Sequence, residues 1–310
     1  GDGNHPRNAR RRPQPQGPLV GRPRRNQGHQ VPQAPGLSVV LSERKFDSGT
    51  VEINYAVGPA NGNPLVMLHG ISNWWRHFLP ILPDLCFRYH VHALDFRGCG
   101  LSGRTPGSYS VVDYAADVIA FIEANFPDPV DLLGHSLGAH VALVVGNAIP
   151  DRIRSIILED LPIRTADGRL QGRPYQPIFD TWRGILKQTS TFEGIYRLLG
   201  ESDVSRGSLS DRIRARSLAL LDPDVLNAFV ERDPFDGYDP ETLTKGLACP
   251  TLLVQADAAV FARLEDPEAE RMMLLNSRIC RTTVAEAGHN VHSDQPEMLV
   301  RAISDFLESL

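Results

Sequence analysis

The chain has few cysteines and no long apolar run. The four cysteines, Cys86, Cys99, Cys249 and Cys280, are scattered over 310 residues, with neither the spacing of metal ligands nor the density of a disulfide scaffold. No apolar stretch approaches the roughly 18 residues that span a bilayer, and none near the start resembles a secretion signal. These absences argue against a disulfide-rich secreted domain and a membrane protein, and they favour a cytoplasmic protein with reduced thiols.

Charge is unevenly distributed along the chain. The net charge is −5, but residues 1–35 contain seven Arg and one Asp and carry +6, which leaves −11 for the remainder. This first segment is rich in Pro, Gly, Gln and Arg and almost lacks large apolar side chains, so we predict a disordered basic tail at residues 1–36. No aromatic residue is interleaved with the arginines to stack on bases. A nucleic-acid partner is therefore not expected.

Short apolar runs alternate with helical patterns from residue 37 onward. Several of the runs are nearly continuous apolar stretches, which are typical of strands buried on both faces. Eight runs are predicted as strands: LSVVLSERKF, VEINYAVG, PLVMLHG, YHVHALD, VDLLGH, SIILED, TLLVQA and ICRTTVA. Helices are predicted at residues 73–85, 110–125, 137–148, 267–275 and 295–309. The alternation predicts an α/β fold with a doubly wound, mostly parallel sheet.

The alternation is interrupted once. Between residues 161 and 247 the sequence has helix-like patterns and no convincing strand. Because plain connections usually take fewer than about 15 residues, we predict a helical cap inserted after the sixth core strand. The predicted organisation is the tail at residues 1–36, a core at residues 37–161 and 248–310, and the cap at residues 162–247.

The pentapeptide GHSLG at residues 134–138 places Ser136 between a buried strand and a helix. A Gly-x-Ser-x-Gly match arises easily by chance, but in this context it is the tight turn that exposes a nucleophilic serine. Gly134 and Gly138 suit that turn because a side chain would collide with the neighbouring strand and helix. The start of the helix also presents N–H groups and the positive end of its dipole beside the hydroxyl. Ser136 is therefore the candidate nucleophile.

A second segment ends another buried strand. His69 and Gly70 lie at that strand end, and the loop that follows can direct the N–H of Ile71 towards the same oxygen as the N–H of Leu137. Two such donors would form an oxyanion hole.

A third segment contains a candidate base. His289 follows the last strand, so it can approach Ser136 from the C-terminal edge of the sheet, where open α/β folds bind ligands. We interpret His135 and His292 as structural or pocket-lining residues.

These segments, in this order, resemble the α/β-hydrolase superfamily. The resemblance covers residues 37–310 and is carried by LHGISNWW, LDFRGCGLS, GHSLGAHVA, PDRIRSIILEDLP, PTLLVQADAAV and AGHNVHSDQPE. It implies Ser136 as nucleophile, His289 as general base and then acid, and the N–H groups of Leu137 and Ile71 as oxyanion donors. It implies no cofactor, and we predict no metal site.

The acid of a catalytic triad is missing from its usual place. Most relatives carry it as the Asp of a GxxD turn after the seventh strand, where this sequence has Ala256 and Ala259. Asp160, after the preceding strand, is the first candidate, because a carboxylate there can reach the same histidine. Asp257 is the alternative acid. Glu159, Glu265 or no acid at all stay open.

The loop DFRGCGLS also departs from the family, since Cys99 stands where relatives commonly have His. A thiol nucleophile there would lack a neighbouring base. We expect the loop to serve turn geometry, with Arg97 binding neighbouring carbonyls or Asp95.

A serine nucleophile excludes the aspartate-dependent dehalogenases and epoxide hydrolases of this fold and leaves acyl chemistry. The predicted function is a serine hydrolase that cleaves a small or medium carboxylic ester, lactone or amide through an acyl-enzyme on Ser136. The alternatives are hydrolysis of a carbon–carbon bond next to a ketone and a catalytically idle protein that binds a ligand. The predicted partner is a small-molecule substrate.

Aromatic and basic side chains are the candidates for substrate contacts. Trp74, Trp75, Phe179 and Trp182 either line an apolar acyl pocket or pack between cap and sheet. Several cap arginines either bind a substrate carboxylate or form a solvated face with interspersed acids: Arg164, Arg169, Arg173, Arg183 and Arg197.

Overall fold

The computed structural model describes residue 1, residues 41–163 and residues 176–310. Eight strands form one sheet, and each overlaps a predicted apolar run: β1 (Ser42–Asp47), β2 (Glu52–Val57), β3 (Pro64–Leu68), β4 (His90–Leu94), β5 (Val130–His135), β6 (Ile153–Glu159), β7 (Thr251–Gln255) and β8 (Ile279–Thr283). The predicted tail at residues 1–36 lies outside the described residues, apart from Gly1.

The strand order is β1-β2-β4-β3-β5-β6-β7-β8. β1 and β2 are antiparallel to their neighbours, and the six strands from β3 to β8 are parallel. Successive side chains of β3 enter opposite cores: Val66 and Leu68 pack on one face, Leu65 and Met67 on the other, and all four are buried. Burial on both faces explains the continuous apolar runs. The predicted doubly wound, mostly parallel sheet is confirmed.

Eleven α-helices occur in the described residues: α1 (Leu82–Arg88), α2 (Val111–Asn125), α3 (Leu137–Ala148), α4 (Gln176–Gln188), α5 (Phe192–Gly200), α6 (Ser208–Ala219), α7 (Pro223–Val230), α8 (Pro240–Gly246), α9 (Asp266–Leu275), α10 (Val291–Asp294) and α11 (Pro296–Glu308). None of them combines the length and hydropathy of a membrane-spanning segment. Helices α4 to α8 lie between β6 and β7, in the stretch that we assign to the cap. The division into core and cap domains stays a prediction.

Local sequence sets the start of α2. The Ser110 hydroxyl accepts a hydrogen bond from the N–H of Asp113, and the Asp113 carboxylate accepts one from the N–H of Ser110. Each side chain thus binds a backbone donor that has no partner inside the helix.

One predicted helix was wrong. Residues 73–85 form a 3-10 helix at Trp75–Phe78 and only then the start of α1, rather than one continuous helix. Pro80 lies between the two elements and Pro83 lies in the first turn of α1. Proline removes a helical hydrogen bond and clashes with the preceding turn, so it is tolerated at a helix start and not within a helix.

The strand order positions the functional residues. The chain winds from β3 to β4 in one direction and from β5 to β8 in the other, so the order reverses between β3 and β5. Open α/β sheets bind ligands beyond the carboxyl ends of the strands at such a reversal. Ser136 follows β5 and the loop containing Gly70 follows β3, which places both at this point.

Candidate active site

Ser136 lies in a strained turn between β5 and α3. Its φ of 52° and ψ of −112° fall in a region that side chains with a Cβ rarely adopt. The turn is closed by two glycines: a Cβ on Gly138 would lie 2.0 Å from the carbonyl oxygen of Leu68, and one on Gly134 would lie 2.3 Å from that of Gly138. No larger residue fits at either position. The tight turn that the sequence predicts is therefore present.

His289 lies in the loop between β8 and α10 and contacts two of the predicted residues. Its Nε2 lies 3.1 Å from Oγ of Ser136, and its Nδ1 lies 2.7 Å from Oδ2 of Asp160. The Asp160 side chain is fully buried, whereas the His289 side chain is 20% exposed. The structure thus brings Ser136, His289 and Asp160 into one continuous hydrogen-bonded chain.

Asp160 directly follows β6 and is held by backbone donors from the next strand's loop. Its Oδ2 accepts the N–H of Arg263 at 2.8 Å, and its Oδ1 accepts those of Leu264 at 3.1 Å and Ala256 at 3.3 Å. Its own φ is 43°. Three of its contacts are backbone donors, and an ionised carboxylate only accepts, so the proton of the contact with His289 is assigned to Nδ1.

The other candidate acids are bound elsewhere. Asp257 accepts the N–H groups of Ala259 and Glu286, and these backbone hydrogen bonds lower the pKa of Asp257. Glu265 forms a capping box with Glu268 at the start of α9. Glu159 contacts His292 rather than His289.

The two residues predicted to supply an oxyanion hole, Leu137 and Ile71, directly follow Ser136 and Gly70, which lie side by side. Leu137 is the first residue of α3, and a Cβ on Gly70, next to Ile71, would lie 3.3 Å from Cβ of Ser136. Within residues 41–163 and 176–310, neither the N–H of Leu137 nor that of Ile71 finds an acceptor. Their role as donors to one ligand oxygen stays a prediction.

Sequence reasoning missed the side chain that holds this loop. Nη1 of Arg214, in α6, donates to the carbonyl and hydroxyl oxygens of Ser72 and to Oδ1 of Asn73, at 3.0 to 3.3 Å. Ser217, one turn further along α6, also donates to the Ser72 carbonyl. Burial and the nearby Arg206 lower the pKa of Arg214 to about 10. No local pattern marks this arginine among the many of the cap.

The predicted pocket aromatics make the contacts of core residues. Trp74 and Trp75 are buried in the hydrophobic cluster on one side of the sheet, and Phe179 is buried in the cluster on the other side. Trp182 is partly buried beneath the guanidinium of Arg214, which lies 4.4 Å from its ring. A role for these four side chains in substrate binding stays a prediction.

Two further expectations have structural outcomes. Burial raises the pKa of the Cys99 thiol far above its usual range, which disfavours a thiolate nucleophile. Arg97 does not bind Asp95; Nε and Nη2 bind Asp117 at 2.6 and 2.7 Å, while one weaker bond of 3.4 Å reaches the Ser108 carbonyl.

The predicted cap arginines divide into two groups. Arg183 is paired with Asp180 and Glu231, and Arg197 is paired with Glu201. Arg197, whose side chain is 64% exposed, fits the solvated-face interpretation. Arg183 is also paired with acids, but its side chain is only 13% exposed, so it does not lie on a solvated face. The other three, Arg164, Arg169 and Arg173, lie outside the described residues.

Comparison with known proteins identifies the family. The profile of the alpha/beta hydrolase family matches residues 65–302. A serine hydrolase-like protein of Danio rerio is 25% identical over 281 residues, or 81% of this chain and 83% of its own. N-formylmaleamate deformylase of Pseudomonas putida is 25% identical over 281 residues, or 88% of this chain and 98% of its own. A crystal structure of E-2-(acetamidomethylene)succinate hydrolase has a TM-score of 0.70 at 22% identity, over 87% of this chain and 100% of that one, which is a likeness of fold. The chain belongs to the alpha/beta hydrolase family.

Proposed function

We propose that the protein is a serine hydrolase in which Ser136, His289 and Asp160 form the catalytic triad. The observation that carries this proposal is the continuous hydrogen-bonded chain from Oγ of Ser136 through both nitrogens of His289 to Asp160. Because Asp160 can only accept, it holds the proton on Nδ1 and leaves the lone pair of Nε2 facing the serine. That tautomer is the one a general base requires.

The reaction follows from this arrangement. Oγ of Ser136 attacks the substrate carbonyl while Nε2 of His289 accepts the hydroxyl proton. The N–H groups of Leu137 and Ile71 donate to the oxyanion of the tetrahedral intermediate. When the intermediate collapses, the leaving group departs with the proton from Nε2, and an acyl-enzyme remains on Ser136. A water molecule, deprotonated by His289, then attacks the acyl carbon and releases the acid.

Asp160 is preferred over Asp257 as the acid. Three backbone N–H groups and Nδ1 of His289 converge on Asp160, so the carboxylate is oriented and its charge is stabilised. Asp257 is engaged by two N–H groups of its own loop. In this proposal Asp160, at the end of β6, takes the place of the acid that most relatives carry at the position of Ala259.

For the substrate we propose a small or medium carboxylic ester, lactone or amide. One relative is named as a deformylase, so short N-acyl compounds are good first substrates beside activated esters. Trp182, which reaches the loop at Ser72 through Arg214, is the aromatic side chain that we propose for the pocket wall.

The test is covalent labelling with a fluorophosphonate, read by intact mass. We expect one adduct on the wild-type chain and none on Ser136→Ala. Ser293→Ala is the matched control, because Ser293 is exposed and lies four residues from His289. Hydrolysis of p-nitrophenyl acetate should follow the same pattern.

The labelling experiment can also contradict the proposal. A folded wild-type chain that forms no adduct and shows no turnover would favour the ligand-binding alternative over a hydrolase.

A further inference from the structure

Three histidines from distant segments meet beside the proposed triad. His77 lies in the 3-10 helix at Trp75–Phe78, His135 is the last residue of β5, and His292 lies in α10. One nitrogen from each imidazole lies within 4.8 Å of those from the other two. His135 and His292 are buried and His77 is partly buried. The proposed reaction uses none of these three side chains to form or break a bond.

In His135 and His292, the ring nitrogen on the side away from the other two rings lies against a hydrogen-bond acceptor. Nε2 of His135 lies 2.9 Å from the carbonyl oxygen of His289, and since a carbonyl only accepts, this nitrogen carries a proton and Nδ1 has a lone pair. Nδ1 of His292 lies 2.7 Å from Oε1 of Glu159, which also accepts the N–H of His292 at 2.9 Å. Imidazoles that bind metals almost always donate their second N–H to a carbonyl or carboxylate in this way.

The remaining nitrogens face one another. Nδ1 of His135 is buried and has no hydrogen-bond partner among the described residues. Nε2 of His292 lies 2.8 Å from Nδ1 of His77, which also lies 3.1 Å from Nδ2 of Asn73. Oδ1 of Asn73 accepts from Arg214, so its Nδ2 is the atom that donates to His77.

These contacts leave two lone pairs inside the cluster, on Nδ1 of His77 and Nδ1 of His135, and one N–H, on Nε2 of His292. Nδ1 of His77 accepts a hydrogen bond from Asn73 and therefore carries a lone pair, as Nδ1 of His135 does. A ring nitrogen that carries a lone pair is the one through which imidazole binds a metal.

We propose that His77, His135 and His292 form a binding site for one divalent transition-metal ion of the zinc class. Three imidazoles suit Zn²⁺, Cu²⁺ or Ni²⁺, whereas Mg²⁺ and Ca²⁺ prefer oxygen ligands. The ion takes the place of the proton between Nε2 of His292 and Nδ1 of His77. That proton is released to solvent, and Nδ1 of His77 exchanges its hydrogen bond from Asn73 for the metal. Glu159 and the His289 carbonyl orient two of the three rings, those of His292 and His135, from outside.

The required movement is small. Tetrahedral Zn²⁺ with Zn–N of about 2.0 to 2.1 Å places its ligand nitrogens roughly 3.3 Å apart. The contact of 2.8 Å between His77 and His292 must open slightly, and the widest nitrogen separation, at most 4.8 Å, must close. A bound ion would connect β5, α10 and the loop after β3, so we expect it to raise the Tm.

The experiment measures metal content on the full chain. Protein stripped with a chelator is dialysed against Zn²⁺, and bound zinc is counted by elemental mass spectrometry alongside the Tm. In His135→Gln the amide nitrogen can still donate to the His289 carbonyl, but the free lone pair is removed. His77→Gln removes a second ligand by an independent change. His90→Gln, on β4, is the control for a partly exposed histidine outside the cluster.

We expect wild type and His90→Gln to bind one more zinc ion per chain than either cluster variant, and only these two to gain Tm with Zn²⁺. Equal stoichiometry in all folded proteins would mean binding to surface groups only and would overturn the proposal. If one cluster variant fails to fold by circular dichroism, the other decides. The same comparison in a Ser136→Ala background gives the answer whether or not the protein is a serine hydrolase.

Discussion

Replacement of Asp160 by asparagine tests both the proposed triad and the geometry around it. Four donors converge on the carboxylate: Nδ1–H of His289 and the N–H groups of Arg263, Leu264 and Ala256. An amide has one acceptor oxygen and one NH2 group, so it cannot serve all four. Whichever way the amide turns, its NH2 meets a donor.

The two orientations fail for different reasons. With the NH2 towards Leu264 and Ala256, two buried N–H groups lose their acceptor, at about 1 to 3 kcal/mol each. With the NH2 towards His289, Nδ1 must accept, the ring proton moves to Nε2, and the base can no longer take the proton of Ser136. A triad Asp→Asn change of this kind lowers kcat by about 10⁴-fold. The second orientation removes the acceptor of one backbone N–H, that of Arg263, rather than of two, so it is the one we expect. The expected loss of kcat is then about 10³ to 10⁴-fold, or about 4 to 5.5 kcal/mol of activation free energy.

The assay is steady-state hydrolysis of p-nitrophenyl acetate, with the free energy of unfolding measured in urea on the same samples. We expect Asp160→Asn to lose stability by about 2 kcal/mol or more, because of its lost acceptors. Asp257→Asn is the matched control, since Asp257 follows the neighbouring strand β7 and likewise accepts backbone N–H groups, two in number. Its kcat should change less than about threefold. Rates are compared well below the Tm of each variant, so that unfolding does not mimic catalytic loss.

The reverse pattern would refute the assignment. If Asp160→Asn kept a tenth or more of the wild-type kcat while Asp257→Asn lost a hundredfold, the acid would be Asp257, and the contact between Asp160 and His289 would be structural.

Three other predictions concern stability. Gly138→Ala places a Cβ 2.0 Å from a backbone carbonyl of β3, so it should lower the free energy of unfolding in urea by about 3 kcal/mol or prevent folding. At Gly184 a Cβ meets nothing within 4 Å, so Gly184→Ala should be neutral or stabilising in the same assay. Arg97→Met leaves the buried carboxylate of Asp117 without its cation and should cost about 3 to 5 kcal/mol, so a loss below 1 kcal/mol would contradict the pairing. His69 is buried, and burial lowers its pKa from 6.5 to about 4. The unfolded chain therefore takes up this proton first, so the stabilising effect is complete above about pH 6.5 and is lost as the pH falls towards 4, a change of about 3 kcal/mol. Urea unfolding from pH 7 to 4 should show a shallower decline in His69→Gln, and equal slopes would be evidence against this shift.

The sequence by itself determined the fold class and the position of the serine. Apolar runs such as that of β3 must be buried on both faces, and this requirement holds whatever the neighbouring strand is. The turn at Ser136 is also local, because its two glycines and the helix start lie within five residues. One local feature was misjudged at residues 73–85, where the apolar pattern suggested one helix although Pro80 divides it.

Only the tertiary structure decided which side chains meet. The sequence left Asp160, Asp257, Glu159 and Glu265 open, since all four lie near strand ends or helix starts in sequence. β6 and β8 lie on either side of β7 in the parallel part of the sheet, so Asp160 and the loop of His289 lie at the same edge, and there the two side chains meet. The partners of that carboxylate come from about a hundred residues further along the chain.

The histidine cluster and the hydrogen bonds of Arg214 to the loop after β3 are likewise contacts that only the tertiary structure decides. His77, His135 and His292 belong to three segments with no common spacing, and Arg214 reaches the Ser72 region from α6. Periodicity reports which face of an element is buried, because burial depends on local side-chain pattern. It does not report which elements pack against each other at that face, because their arrangement is set by the packing of the whole sheet and its helices.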